Sequence, residues 1–155
     1  MNGKYIINGK NVELTFDSDA KLVSVLRDNG YMEVKCGCEK GHCGACAILL
    51  DNKLTLSCQV YAASAVGREI TTVQGLGTVH NPHPIQTAFA ESGAIQCGFC
   101  TPGKVLAAYA LLSKNPNPTE EEIKAGIDGH ICRCTGYVKI IEAIKLAAER
   151  MASNG

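Results

Sequence analysis

Apolar and polar positions alternate along the first half of the chain and fall into helical stripes along the second. In "YIINGKNVELTF", residues 5–16, two apolar runs flank Asn8-Gly9, and Val12, Leu14 and Phe16 alternate with polar neighbours. A period of two around an Asn-Gly pair predicts a β-hairpin whose second strand is half-buried. Leu22, Val23 and Leu26 then form the stripe of a helix that Ser18 or Asp19 would cap and Gly30 would end. "AILLDNKLTLSC" predicts a second hairpin turning at Asp51-Asn52, and "REITTV" a last strand. Residues 1–75 thus describe a small sheet with one helix across it.

The period changes after "QGLGTVHNPHP", a connector containing Gly and Pro. Ile85, Ala88 and Phe89 begin one helix. Thr101 stands as a cap before Pro102, and Val105, Leu106, Tyr109 and Leu112 carry a second helix that "NPNP" stops. Thr119 and Glu122 form a T-x-x-E capping box opening a third, which ends near Gly129. Thr135 would cap a fourth, with Val138, Ile141, Ile144 and Ala148 on one side. Residues 76–155 therefore predict an all-α four-helix domain. Its cysteines fall at helix ends, where backbone N–H groups are free. The expected class is α+β, a sheet domain followed by a helical one, with no internal repeat.

Composition adds a reason for cross-links. The chain has 155 residues, 46% apolar and 19% charged, an ordinary globular balance. A half of about 75 residues buries only a modest core, so metal or covalent cross-links would help each half stand alone. Nine cysteines can supply them. Fifteen Lys and Arg balance fifteen Asp and Glu, and they are scattered, which argues against a nucleic-acid partner. "MNGKYIINGK" has no signal layout, and the charge-free stretch "LTLSCQVYAASAVG" is too short and polar to span a bilayer. The expectation is a cytoplasmic chain without a membrane partner. In a reducing compartment, tightly spaced cysteines are metal ligands rather than disulfides.

Cys38, Cys43, Cys46 and Cys58 read C-x4-C-x2-C-x11-C. The first three spacings are those of plant-type [2Fe-2S] ferredoxins, where one loop wraps a two-iron rhomb and a fourth thiolate returns from farther along. Glycine-rich turns let backbone N–H groups donate to the anionic sulfurs. Structural zinc, the alternative, usually pairs its ligands as two knuckles, so the wrapping loop favours a cluster. Cys36 stands outside the set, as a small buried or partly exposed thiol. Cys97 and Cys100 form C-x2-C, and Cys132 and Cys134 form C-x-C. Two such pairs at neighbouring helix ends can enclose a cluster. Zinc, or a redox dithiol at "CGFC", also fits the isolated motif, although the dithiol expects a preceding strand. "GLGTVH" lacks the third glycine and strand-to-helix setting of a dinucleotide site. His42, His80, His83 and His130 are expected to be surface or loop residues.

"VKCGCEKGHCGAC" with its later Cys58, "IQCGFCTPG" and "GHICRCTGY" together resemble the small iron-sulfur subunit of the molybdenum hydroxylases, the xanthine dehydrogenase, aldehyde oxidase and carbon monoxide dehydrogenase family. The resemblance spans nearly the whole chain. It implies a plant-ferredoxin-like β-grasp domain over 1–75 and a helical domain over 76–155, each with a [2Fe-2S] cluster. Cys38, Cys43, Cys46 and Cys58 match the outer cluster's ligands, and Cys97, Cys100, Cys132 and Cys134 the inner cluster's. Gln96 matches a glutamine that hydrogen-bonds molybdopterin on a large subunit, and Cys134 the ligand nearest that pterin. Where many members read "GECGACT", this chain has His42 and Ala47, and Cys36 precedes Gly37; none is a ligand position. The resemblance implies an electron-transfer subunit with no catalytic residue of its own, relaying electrons one at a time from molybdopterin on a large subunit to an FAD subunit or another acceptor. A xanthine or purine dehydrogenase is the first choice of complex; nicotinate, aldehyde, carbon monoxide and 4-hydroxybenzoyl-CoA enzymes are the alternatives. A free-standing ferredoxin-like carrier and a zinc-stabilised module are the competing classes, and the helical half with its glutamine argues against the carrier.

Overall fold

Asn8 and Gly9 both adopt left-handed backbone, with φ of 50° and 76°, and they join β1 (Asn2–Ile7) to β2 (Lys10–Thr15) as an antiparallel hairpin. Asp51 and Asn52, at φ of 49° and 62°, do the same for β3 (Ala47–Leu50) and β4 (Lys53–Leu56). In this computed structural model, which describes residues 1–153, β5 (Glu69–Thr71) closes a five-stranded sheet in the order β2-β1-β5-β3-β4. It runs parallel to β1 and antiparallel to β3. The last two positions of the expected 76–155 unit lie outside the described residues.

Helix α1 (Leu22–Asp28) packs Leu22, Val25 and Leu26 into a core with Tyr5, Ile7, Phe16, Ile48, Leu50 and Ile70. The Tyr5 hydroxyl donates to the Ala62 carbonyl at 3.0 Å, so its buried oxygen is satisfied. Gly30 takes the expected left-handed conformation, φ 92°. The expected cap does not form. Lys21 is the N-cap, and no side chain, Ser18 or Asp19 included, caps the helix. The Leu22 N–H instead donates to the Val60 carbonyl at 2.8 Å, so a tertiary contact meets a need that sequence reasoning assigned to a local hydroxyl or carboxylate.

After the short α2 (Val73–Leu76) come α3 (Pro84–Glu91), α4 (Thr101–Leu112), α5 (Glu120–Ile127) and α6 (Val138–Ser153). A second core joins Ile85, Phe89, Val105, Ala108, Leu112, Ile123, Ile127, Ile140 and Ile144. The Thr119–Glu122 capping box opens α5 as expected. Cys100 rather than Thr101 is the N-cap of α4; Thr101 is already helical and Pro102 lies in the first turn. Thr135 does not cap α6, which starts three residues later. The buried stripe of α6 is Ile140, Ala143, Ile144, Ala147 and Ala148, while Val138 is 60% exposed. Ile144 and Ala148 lie on it as expected, and Ile141 is half-buried against the same core. His83 is not a simple surface residue either. Its Nδ1 accepts the Ile85 N–H and Gln86 Oε1 accepts the His83 N–H, completing a capping box on α3.

The two cores meet through β3 and α4. Ile48 and Leu50 point into the sheet domain's core, and Ala47 and Leu49, equally buried, lie on the other face. There α4 packs on β3 and β4, while α3 and α5 cover its opposite side. Covered on both sides, α4 is buried continuously from Gly103 to Ala108. Among the described residues no helix is long and apolar enough to cross a membrane.

Candidate metal centres

The loop between α1 and β3 takes positive φ at Glu39 (56°), Gly41 (77°) and Gly44 (72°). This winding turns the N–H groups of Lys40, His42 and Cys43 onto Cys38 Sγ at 3.4, 3.3 and 3.4 Å. Such a concavity of backbone donors favours an anion. The three N–H groups pull the Cys38 thiol down to about 6. Cys46 and Cys58 are buried behind it. Burial pushes Cys46 up to about 11. Ser57 ties the return segment in place through its hydroxyl, 2.7 Å from the Cys46 carbonyl, and Gln59 Nε2 donates to Cys58 Sγ at 3.3 Å. A Cβ on Gly37 would come within 2.8 Å of Cys43 Sγ, so glycine leaves room for that thiol.

The second group forms where the loop before α4 meets the loop before α6. Cys134 Sγ lies 3.6 Å from Cys97 Sγ, and both residues are exposed. Cys100 and Cys132 meet thiol to thiol farther in. Burial lifts Cys100 to about 12. Burial also pushes Cys132 upward, but the Thr135 hydroxyl at 3.1 Å and neighbouring N–H groups outweigh it and bring the thiol to about 7. Thr135 therefore serves the cysteine turn, and its Oγ1 also accepts the Tyr137 N–H at 3.3 Å. The Tyr137 hydroxyl accepts the Cys132 N–H at 3.0 Å. Gln96 is exposed beside Cys97.

The two cysteine loops touch. The Ile131 N–H donates to the Cys43 carbonyl at 2.9 Å, so one hydrogen bond separates Cys43 from the residue next to Cys132. His130 is buried, not a surface residue, and its Nδ1 lies 3.2 Å from the Gly44 carbonyl. A carbonyl cannot donate, so Nδ1 carries the proton. The approach is too close for side chains. A Cβ on Gly44 would sit 2.5 Å from the Gly129 carbonyl oxygen, and one on Gly103 2.5 Å from that of Gly44.

All nine cysteines are free, and eight of them fall into four pairs: Cys38 with Cys43, Cys46 with Cys58, Cys97 with Cys134 and Cys100 with Cys132. Cys36 stays apart, half-buried, its thiol donating to Glu39 Oε1 at 3.2 Å. Among the described residues no three His, Cys, Asp or Glu side chains converge as they would on one metal ion. Paired thiols suit a diiron unit, which takes two thiolates on each iron. Donors aimed at Cys38, Cys58 and Cys132 suit an anionic cluster. Beside Cys100 and Cys132 the buried ammonium of Lys104 has no hydrogen-bond partner, which suits a negative group there. The residues present fit two such clusters.

Comparison with known proteins finds two iron-sulfur domain models along the chain. Residues 5–63 match the model of a 2Fe-2S iron-sulfur cluster binding domain, and residues 72–145 that of a [2Fe-2S] binding domain. The nicotinate dehydrogenase small FeS subunit of Eubacterium barkeri is 41% identical over 148 residues, covering 95% of this chain and 94% of the relative. The xanthine dehydrogenase iron-sulfur-binding subunit of Escherichia coli O157:H7 is 43% identical over 140 residues, 89% and 88% of the two chains. In the crystal structure of quinoline 2-oxidoreductase from Pseudomonas putida 86, one chain superposes with a TM-score of 0.94 at 38% identity, covering 99% of this chain and 96% of that one.

Proposed function

The chain belongs to the small iron-sulfur subunits of the molybdenum hydroxylase family, and from that premise we propose that Cys38, Cys43, Cys46 and Cys58 hold its outer [2Fe-2S] cluster and Cys97, Cys100, Cys132 and Cys134 its inner one. The chain has two [2Fe-2S]-binding domains and is an electron-transfer subunit of a molybdenum-dependent oxidoreductase. When bound, each cluster accepts and releases one electron at a time. The protein holds the two sites in fixed register, buries one side of each and sets the charge around the sulfurs.

The hydrogen bond from Ile131 to Cys43 carries the relay reading, because it is a short bonded route from one ligand loop to the other. The entry side of the relay is the inner site. Cys97 and Cys134 are exposed, next to exposed Gln96 and flanked in sequence by exposed Ile95, Phe99 and Ile131. Exposed apolar residues around a redox site suit a docked partner. That partner is a large molybdopterin-binding subunit, with the Gln96 amide and Cys134 turned to its pterin. Cys38, at the opposite loop, is the exit towards an FAD subunit or another acceptor. The complex works in the cytoplasm, where thiols stay reduced.

A purine such as xanthine is the proposed substrate of the complex, supported by the 43% identity to a xanthine dehydrogenase subunit. The nicotinate relative matches at 41% over a longer stretch, as expected if substrate choice resides in the large subunit. Purification of the native complex with iron analysis tests the assignment. Four irons per chain, two paramagnetic signals on reduction and xanthine-dependent bleaching of both are expected. A colourless chain holding zinc would end the cluster reading; bleaching by nicotinate but not xanthine would end the purine reading alone.

A further inference from the structure

Lys104 is 0% exposed, and its Nζ has no hydrogen-bond partner. It lies four positions after Cys100, the N-cap of α4, and its N–H donates to the Cys100 carbonyl at 3.0 Å, so both side chains lie on one face of the helix. Its ammonium sits 4.2 Å over the Tyr137 ring, the same tyrosine whose hydroxyl accepts the Cys132 N–H. Burial pulls the ammonium down to about 8, and the attraction of Cys100, Cys132 and Asp128 restores only part of that. Asp128 is exposed and turned to the Gly129 N–H, so it is a weak counter-charge. A buried ammonium without a partner is costly, and a ring face offsets only part of that cost. The remaining negative charge must come from what Cys100 and Cys132 hold.

We propose that Lys104 is a positioning residue for the inner cluster, a fixed positive charge that raises the cluster's reduction potential above what the thiolates alone would set. The proposal rests on the assignment of Cys97, Cys100, Cys132 and Cys134 to that cluster. One-electron reduction adds one negative charge to the cluster and moves no proton on the lysine. The reduced form gains more from the nearby ammonium than the oxidised form does, because Coulomb attraction grows with charge and is weakly screened in a buried site. The inner site thereby becomes the stronger electron acceptor, facing the side where electrons enter. Among the described residues Lys104 is the one buried lysine, so the outer cluster, held by a different loop, has no such counterpart.

Redox titration of the whole complex, followed by electron paramagnetic resonance, tests this with Lys104→Met, which keeps length and removes charge, and Lys104→Arg, which keeps charge. Lys104→Met is expected to lower the reduced-to-oxidised ratio of the inner cluster about tenfold at a given potential, about 59 mV for one electron, with the outer midpoint almost unmoved. Lys104→Arg should stay near the wild-type midpoint. Loss of the inner signal in Lys104→Met but not in Lys104→Arg would also support a charge requirement. An unchanged inner midpoint in Lys104→Met overturns the proposal, as does loss of the inner cluster from both variants, which would mark a packing role. A wild-type complex with a single diiron signal would bring down the ligand assignment beneath it.

Discussion

Cys38 and Cys100 carry the same thiol into opposite surroundings. Three backbone N–H groups bring Cys38 to about 6, and burial lifts Cys100 to about 12. Both are proposed ligands, so metal binding must draw on local donors in one case and on iron itself in the other. The sites are formed by separate loops, and single changes should act locally. Cys43→Ser is expected to erase the outer paramagnetic signal and keep the inner, and Cys100→Ser the reverse; loss of both signals from either change would contradict separate sites. Gln96→Ala should slow reduction by the molybdenum subunit while iron content stays at wild type, and an equal fall in iron would contradict a pterin-facing role. The outer four cysteines were legible from their spacing, and the inner four as one set only through the resemblance to the family. His130 was not, because a lone histidine in "GHIC" carries no local mark of the carbonyl 86 residues away that it meets.

Helix ends divide into those settled by neighbours in sequence and those settled by neighbours in space. Thr119 and Glu122 sit three residues apart and bond each other's backbone, so the sequence alone announces the start of α5. Thr119→Ala is expected to cost about 1 kcal/mol, seen as a lower denaturation midpoint at unchanged slope with both cluster signals intact. Thr135 looks like the same kind of residue and is not. Its hydroxyl lies 3.1 Å from Cys132 Sγ, so Thr135→Ala should alter the visible circular dichroism of the inner cluster and leave helix content unchanged. A loss of helical signal without a cluster change would return Thr135 to a capping role. Lys21 and Cys100 stand at N-caps without a capping side chain, as tertiary bonds and a cysteine turn set those ends.

The molecule as a whole depends on two loops meeting backbone to backbone. Gly44 combines a φ of 72° with a position where any Cβ would strike the Gly129 carbonyl. Gly44→Ala should therefore push the loops apart, slowing electron equilibration between the two signals in rapid-freeze reduction while each signal persists. Unchanged equilibration would show that the Cys43–Ile131 contact is not the route. Iron removal by a chelator under reducing conditions should lower the melting temperature of the whole chain, since cluster binding stabilises only the folded form and each half has a small core. Periods of two and of 3.6, the Asn8-Gly9 and Asp51-Asn52 turns, the Thr119 box and the spacing of eight thiols were all determined by the sequence, because each is a relation between residues close along the chain. The tertiary structure alone decided that α4 is covered on both sides, that Lys104 is buried beside Cys100, and that Cys97 pairs with Cys134. Those relations join distant segments, and only packing of the finished fold brings such partners together.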